Sequence, residues 1–257
     1  MKIATFNING VNGHLPVLLR WLKEEAPDVA CLQEIRSPDA KFPRAAIEAA
    51  GYNVIWQGQP RWNGVAILAR NLEIQETRRG LPGDPDDTHS RYIEARVADL
   101  VIGCLYLPNG NGQAPKFDYK LRWFKRLQDY AAELLESGES VVLAGDYNVV
   151  PTDLDAFEPQ RWIYDAVFQP RSKRAYAGLL KQGWTDAIRH LHPHEQIFTY
   201  WDFGYGGPDW KSGLRMDHLL VNPALRSRLN AGGVDREARI WEKTSDHAPA
   251  WIELNEA

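Results

Sequence analysis

The sequence predicts an α/β fold in which two β-sheets pack against each other and helices cover their outer faces. Short runs of apolar and β-branched residues recur along the 257-residue chain, and they are bounded by Gly, Pro, Asn and Asp, as strands usually are. Helical periodicity appears in far fewer places. So many strands with so few helices exceed what one sheet of alternating strands and helices would use, so two packed sheets fit better.

The predicted strands, in chain order, are KIATFN, DVACLQ, YNVIWQ, GVAILA, YIEARVA, LVIGCLYL, SVVLAG, IFTYWDF, RMDHLLV, ARIWE and APAWIEL. Four segments have the apolar spacing of helices, and three of them end at a glycine, which is common just past a helix C-terminus. They are LPVLLRWLKEEA, FPRAAIEAAG with Gly51, FDYKLRWFKRLQDYAAELLES before Gly138, and RAYAGLLKQG with Gly183. No linker or repeat interrupts these elements, so we expect residues 1–257 to form a single domain.

Composition limits the classes of partner. Hydrophobic residues make up 44% of the chain, which is enough for a sizeable core. The net charge of -4 gives no overall basic character, so nucleic-acid binding would have to rest on local patches. Residues 116–127 carry five cations and one acid, and residues 166–185 carry four cations and no acid. For either stretch, a DNA footprint and a solvated helix face are equally good interpretations.

The cysteines and the N-terminus bear on location. Cys31 and Cys104 lie in apolar runs, which suits buried thiols in a reducing compartment better than a disulfide framework. The first ten residues lack the regions of a signal peptide, and no run is long enough to span a bilayer. We therefore expect a cytoplasmic protein without membrane contact, and nothing in the sequence requires more than a monomer.

Polar residues stand at or near the ends of several predicted strands, where loops usually gather into sites. They are Asn7, Glu34, Tyr106, Asn109, Asp146, Asn148, Asp217, Asp246 and His247. An isolated buried carboxylate is costly, so four acids that converge from separate strands would imply a cation. Carboxylate and amide oxygens suit magnesium or manganese, whereas zinc would favour nitrogen and sulfur ligands.

The segment VVLAGDYN, residues 141–148, delivers Asp146 and Asn148 two residues apart. Because side chains alternate between faces of a strand, both groups should point to the same side if the extended conformation continues. Structural interpretations stay open for single residues. Asp146 and Asn148 could be turn formers, and Glu34 could pair with Arg36. The coincidence of so many polar residues at strand ends favours a site.

Seven segments follow one another in a characteristic order: TFNING, DVACLQE, NGVAIL, YLPNG, LAGDYN, GLRMDHLL and SDHAPAW. Together they resemble exodeoxyribonuclease III and the related AP endonucleases, within the endonuclease/exonuclease/phosphatase superfamily. The resemblance extends from residue 2 to about residue 254. It implies a four-layer α/β sandwich, with two packed mixed β-sheets flanked by helices, and a magnesium-dependent nuclease. Such an enzyme would cut duplex DNA 5′ of abasic sites, clear blocked 3′ ends and degrade strands from 3′ to 5′.

The resemblance also implies a role for each polar residue. Glu34 would be the main metal carboxylate, and Asp146 would orient or deprotonate the attacking water. Asn148 would hold that water and a phosphate oxygen. The other implied positions are Asn7 and Asp246 near the metal, His247 paired with Asp217 at the phosphate, and Tyr106 and Asn109 on its opposite side.

Four apolar or aromatic residues would line the pocket for a flipped-out abasic sugar: Tyr200, Trp201, Leu214 and Met216. Two other functions stay open at this point. A relative with the same fold could act on phosphoinositides, sphingomyelin or poly(A), and an inactive relative could only bind nucleic acid. The basic stretches and the aromatic residues around Tyr200 favour DNA, and the complete set of acids favours an enzyme.

Overall fold

The computed structural model describes residues 1–204 and 207–256. Its strands, in chain order, are β1 (Lys2–Asn7), β2 (Val29–Gln33), β3 (Tyr52–Gln57), β4 (Val65–Arg70), β5 (Gln75–Arg79), β6 (Tyr92–Val97), β7 (Leu100–Tyr106), β8 (Ser140–Asp146), β9 (Thr185–Asp186), β10 (Phe203–Gly204), β11 (Gly207–Pro208), β12 (Asp217–Val221), β13 (Leu229–Val234) and β14 (Ala250–Leu254). The helices are α1 (Leu15–Glu25), α2 (Arg44–Ala49), α3 (Ala114–Glu136), α4 (Pro170–Gln182), α5 (Ala187–Leu191) and α6 (Pro223–Arg226).

Twelve of these strands form two six-stranded sheets. The first sheet has the spatial order β13-β14-β1-β2-β4-β3, and the second has the order β5-β6-β7-β8-β12-β9. Each sheet contains one parallel pair, β1 with β2 and β7 with β8, while its other neighbours are antiparallel. Both sheets are therefore mixed, as the sequence predicts.

Three apolar cores separate four layers. The core between the sheets combines residues of both, among them Ile3, Val29, Ile102 and Val142. On the outer face of the second sheet, α3 and α4 pack through Trp123 and Tyr176 against Leu143. On the outer face of the first sheet, α1 and α2 pack through Trp21 and Ile47. This order of helix, sheet, sheet and helix confirms the predicted four-layer α/β sandwich.

Two predicted strands are wrong. The segment IFTYWDF makes only isolated bridges, from Tyr200 to Leu214 and His247, before the short β10 begins at Phe203. The segment ARIWE lies at a turn of 3₁₀ helix, Arg236–Ile240. There the buried Arg239 donates to the carbonyl oxygens of Ser245 and Trp201, which holds the chain in a turn.

Among the described strands longer than two residues, two have no counterpart in the prediction. They are β5, with the sequence QETRR, and β13, with the sequence LNAGGV, and each lies at the edge of its sheet. Edge strands are often polar or glycine-rich because one side is unpaired, so the apolar pattern that marks a central strand is missing.

The two cysteines lie in the core, where the sequence predicts them. Cys31 and Cys104 are free thiols buried between the sheets. Within residues 1–204 and 207–256, no helix has both the length and the apolar character needed to cross a membrane.

Candidate active site

Polar residues at the ends of five strands meet at one edge of the two sheets. This edge is the side at which the strand ends lie, and not an edge strand. Strands β1, β2, β7 and β8 end there, and β12 runs antiparallel to β8, so that Asp217 at its start pairs with Asp146. The edge opens into a pocket of about 310 Å³. Ten predicted site residues line this pocket: Glu34, Tyr106, Asn109, Asp146, Asn148, Tyr200, Leu214, Met216, Asp246 and His247.

Asp146 ends β8 and is almost completely buried. The residue before it has to be glycine, because a Cβ on Gly145 would lie 1.9 Å from the carbonyl oxygen of Leu105 on β7. The Asp146 carboxylate accepts one hydrogen bond from the backbone N–H of Asn148 at 2.8 Å and another from Nδ2 of Asn7 at 2.9 Å. The second bond comes from the other sheet, so Asp146 is fixed from both sides.

Asn148 reaches the pocket by a turn and not by a continued strand. Its φ of 47° lies in the left-handed region, so the extended conformation, which was the condition for placing both side chains on one face by alternation, does not continue. Its amide nitrogen donates to the carbonyl oxygen of Leu107 at 2.8 Å, and its Oδ1 accepts from Nδ2 of Asn109 at 2.9 Å. The turn still leaves Asp146 and Asn148 in the same pocket wall.

His247 and Asp217 form a buried pair. Nδ1 of His247 lies 2.8 Å from Oδ2 of Asp217. Burial alone would lower the pKa of His247, but the charge and hydrogen bond of Asp217 outweigh it and raise the pKa to about 10. The imidazole is therefore cationic at neutral pH, and its ring faces the pocket.

The same carboxylate acts on Asp146. Burial raises the pKa of Asp146, and the neighbouring charge of Asp217 raises it further, to about 7. The positive His247 and the hydrogen bonds from Asn148 and Asn7 oppose that rise. A carboxylate that titrates near neutral pH is well suited to accept a proton.

Glu34 follows β2 and accepts hydrogen bonds from three sides. Asn7 and the hydroxyl of Tyr106 donate to its Oε1, at 3.0 and 2.7 Å, and the guanidinium of Arg36 donates to its Oε2. Burial, followed by the charges of Glu34 and Asp146, raises the pKa of Tyr106 well above its usual value, so Tyr106 stays a neutral donor. Glu34 thus lines the pocket and is paired with Arg36, which combines two interpretations that the sequence leaves as alternatives.

The donor set suits a hard divalent cation. The carboxylates of Glu34 and Asp246 both face the pocket. Ligand atoms of Asp146, Asp217 and His247 also lie within 4.8 Å of one another, but the cationic His247 has no lone pair for a metal, so Glu34 and Asp246 are the better metal ligands. Oδ1 of Asp217 is buried and has no hydrogen-bond partner in the part of the chain that the structure describes. An ion nearby would satisfy such an atom, since buried acceptors rarely stay unpaired.

An apolar wall closes one side of the pocket. Leu214 and Met216 belong to a buried cluster with Val167, and Tyr200 packs against it. Tyr200 also meets the ring of His247 edge to face, with centroids 5.1 Å apart. Trp201 does not line the pocket. Its buried ring packs against Phe198 and Trp210 on the other side of the segment, because adjacent side chains of an extended chain face opposite ways.

Several residues around this pocket are not predicted from the sequence. Arg36 and Trp62 line its rim, and the guanidinium of Arg36 lies 5.1 Å from the Trp62 ring centroid. Asn9 donates to Oδ1 of Asp246 at 2.8 Å, and Lys120 lies buried behind the pocket. Asn9 falls inside the quoted TFNING segment, and Lys120 falls inside the basic stretch 116–127, but their neighbours give no signal of contact with the site.

A comparison with protein families shows which family the chain resembles. The model of the endonuclease/exonuclease/phosphatase family matches residues 4–247. Among curated proteins, exodeoxyribonuclease III of Haemophilus influenzae is 34% identical over 268 residues, which cover 99% of this chain and all of that protein. The DNA repair nuclease APEX1 of Danio rerio is 28% identical, over 99% of this chain and 82% of its own length.

Solved structures agree over the full length of the chain. A variant of NExo from Neisseria, described as a 3′ phosphatase and bound to a product DNA hairpin, superimposes with a TM-score of 0.94 at 36% identity. An AP endonuclease from Archaeoglobus fulgidus superimposes with a TM-score of 0.93 at 34% identity. Each comparison covers 100% of both chains.

Proposed function

Because this chain belongs to the endonuclease/exonuclease/phosphatase family, as a DNA repair nuclease of the exonuclease III and AP endonuclease type, we propose that it hydrolyses phosphodiesters of duplex DNA with magnesium as its cofactor. Its substrates are duplexes with abasic sites, cut on the 5′ side, and 3′ ends, which it trims or clears of blocking groups. The observation that carries the proposal is the buried Asp146, whose pKa lies near neutrality, facing the cationic His247 across one pocket.

In this mechanism Asp146 takes a proton from the attacking water. Its carboxylate is held by the N–H of Asn148 and the amide of Asn7, so its lone pairs keep one orientation. An oriented base contributes about 10² to 10⁴ to the rate of such reactions. The pKa near 7 means that a large share of molecules has the charged, proton-accepting form at neutral pH.

Hydrogen-bond donors around the pocket stabilise the charge that develops on the phosphoryl oxygens. His247 brings a positive charge that Asp217 keeps in place. Asn109 and Asn148 each have an amide nitrogen with two N–H groups, and Asn109 uses one of them on Asn148. Tyr106 stays protonated and orients Glu34 from the opposite side.

Glu34 and Asp246 are the residues proposed to hold magnesium, with manganese as a substitute. Asn7 donates to both Glu34 and Asp146, so its amide sets the orientation of a metal carboxylate and of the base together. When bound, a divalent cation would polarise the phosphate and offset its charge.

The substrate part of the proposal rests on the pocket and its rim. The apolar wall of Leu214, Met216 and Tyr200 suits a deoxyribose without a base. Trp62 lines the rim and is 66% exposed, and Tyr164, which precedes the pocket residue Asp165, is 90% exposed, as aromatic side chains that contact DNA would be. We expect the protein to act as a monomer, and to act in the cytoplasm.

One assay tests the function. A labelled duplex carrying an internal abasic site and a recessed 3′ end is incubated with the wild type and with Asp146→Asn, with magnesium or with EDTA. We expect wild-type cutting that EDTA abolishes, and a loss of about 10³-fold or more in Asp146→Asn with DNA binding retained. Asp153→Asn is the matched control, because the Asp153 side chain is 79% exposed in the following loop. Full cutting by Asp146→Asn, or cutting that survives EDTA, would overturn the assignment.

A further inference from the structure

Lys120 is a cation buried inside the protein, directly behind the pocket. It belongs to α3 and to the basic stretch 116–127, yet its side chain is 0% exposed, so it cannot contribute to a DNA footprint. Its ammonium donates to three backbone carbonyl oxygens, those of Asn109 at 2.9 Å, Asn148 at 2.5 Å and Ala166 at 3.4 Å. Within residues 1–204 and 207–256 it forms no ion pair with a carboxylate.

A buried ammonium without a carboxylate partner is costly for folding. Burial lowers the pKa of Lys120 to about 7, against the opposing charges of Asp146 and Asp165, so the neutral amine and the ammonium are both populated at neutral pH. The ammonium is the form with three N–H donors, one for each carbonyl. An apolar side chain of the same length would avoid this cost. We therefore expect the charge to act through its hydrogen bonds to the three carbonyl groups.

Two of those carbonyls belong to the pair of amides in the pocket. The side chains of Asn109 and Asn148 are bonded to each other at 2.9 Å, and the backbone N–H of Asn148 supports the carboxylate of Asp146. Lys120 binds the backbones of both asparagines, so it closes a ring of hydrogen bonds around their side-chain contact. That ring holds Asn148 in its left-handed turn.

The third carbonyl belongs to another wall of the pocket. Ala166 lies between Asp165 and Val167, which both line the pocket, and its N–H donates to Oδ1 of Asn111 at 2.7 Å. One ammonium therefore joins the loop after β7, the loop after β8 and the segment before α4.

The loop after β7 is shaped around this lysine. Gly110 has a φ of +88°, and a Cβ on it would lie 2.7 Å from Cδ of Lys120. The close approach of the glycine backbone encloses the lysine stem, so the ammonium has little freedom to leave its three acceptors.

We propose that Lys120 is a positioning residue for phosphodiester hydrolysis. Its ammonium fixes the Asn109–Asn148 pair relative to residues 165–167 on the other side of the pocket. The inference rests on the proposed function for its catalytic part. Without the ammonium, the turn at Asn148 loosens and Asp146 loses its fixed N–H donor. Because this affects the arrangement of reacting groups more than the contact with DNA, kcat should fall while KM changes little.

The test compares Lys120→Met, which removes the charge at similar length, with Lys120→Gln, which keeps donors without charge. Lys125→Met is the matched control on the same helix, since the Lys125 side chain is 70% exposed. We expect kcat to fall by about tenfold or more in Lys120→Met, with KM within about threefold, and Lys120→Gln to recover part of the loss. In Asn109→Ala, adding Lys120→Met should cost much less than it does in the wild type, because both changes disturb one unit.

A second readout needs no substrate. Amide hydrogen exchange in residues 145–150 and 163–168 of the free protein should speed up in Lys120→Met and stay unchanged in Lys125→Met. Unchanged exchange in both segments together with wild-type kcat would overturn the proposal, and so would fully additive effects with Asn109→Ala. If Lys120→Met does not fold, Lys120→Gln gives the same three readouts. A wild type that cuts no DNA would refute the proposed function, while the exchange result would still decide whether Lys120 holds these segments.

Discussion

Replacing Asp217 with asparagine should move the alkaline limit of activity to lower pH. The Asp217 carboxylate lies 2.8 Å from Nδ1 of His247, and both side chains are buried. Burial favours the neutral imidazole, whereas the charge of Asp217 favours the cation and raises the pKa of His247 to about 10. Asp217→Asn removes that charge at nearly constant shape, so His247 should lose its proton at a much lower pH.

The size of the effect follows from the shift. The rise from 6.5 to about 10, at 1.36 kcal/mol for each pKa unit, corresponds to about 5 kcal/mol. A single opposite charge in contact accounts for about one to three units. With a loss of about two units, the pKa of His247 in the variant lies near 8, and at pH 9 about one molecule in ten keeps the imidazolium. We expect kcat/KM of Asp217→Asn to be about tenfold lower at pH 9 than at pH 7, while the wild type changes little.

The acidic limit of the pH–activity profile should also move to lower pH in Asp217→Asn. Burial and then the charge of Asp217 raise the pKa of Asp146 to about 7, so the variant should have a more acidic base. Below the pKa of Asp146 the wild type holds a protonated carboxyl that cannot accept a proton, and its activity should fall. In Asp217→Asn this fall should begin at a lower pH.

The assay measures kcat/KM between pH 6 and pH 10.5 on a duplex with a chemically stable abasic analogue. Circular dichroism at each pH checks that the variant is folded, and Asp153→Asn controls for the loss of a carboxylate as such. The folding stability should fall with rising pH as His247 loses its charge. The raised pKa of His247 contributes stability that is fully present below about pH 6.5 and lost through about pH 10, so the wild type should lose its advantage over the variant in that window. An alkaline limb that stays in place in Asp217→Asn would refute the reasoning.

Two further substitutions test the frame and the rim of the pocket. Gly145→Ala should lower the free energy of unfolding by about 3 kcal/mol or more, because the new Cβ would meet the Leu105 carbonyl at 1.9 Å; thermal unfolding measures this, and Gly13→Ala, with its nearest neighbour at 3.8 Å, should stay close to wild type. Trp62→Ala should raise KM for the abasic duplex severalfold with kcat within about twofold, because the exposed ring borders the pocket without touching Asp146. Ile240→Ala, equally exposed away from the pocket, is its control, and an unchanged KM in Trp62→Ala would contradict a DNA contact.

The sequence predicts the strands and the meeting of polar groups for a shared reason. Central strands are marked by apolar runs, and a polar residue that ends such a run must lie where the strand leaves the sheet. Asn7, Glu34 and Asp146 follow that rule, and the structure brings them within hydrogen-bond distance of one another or of a common partner. Edge strands such as β5 have no apolar run, so the same rule cannot find them.

Local turns are harder to predict than strand ends. The alternation of side chains places Asp146 and Asn148 on one side only if the chain stays extended, and the left-handed φ of Asn148 breaks that condition. The two residues share a pocket wall because the Asp146 carboxylate binds the Asn148 N–H and closes the turn. Trp201 illustrates the same limit. Its neighbour Tyr200 lines the pocket, and pairing of Tyr200 with Leu214 and His247 turns Trp201 away.

For Lys120, the sequence can predict that the side chain is buried but not which groups it binds. The buried residues of α3 recur at helical spacing: Lys120, Trp123, Phe124, Leu127, Tyr130, Ala131 and Leu134. A lysine at the first position of an apolar stripe is predictable as a buried or snorkelling cation from periodicity alone. Its acceptors are not, because they are backbone carbonyls of Asn109, Asn148 and Ala166, and any residue type supplies a carbonyl. A cation on an apolar helix stripe beside strand-end amides is therefore a reason to look for a positioning role, and only the fold can identify what the cation holds.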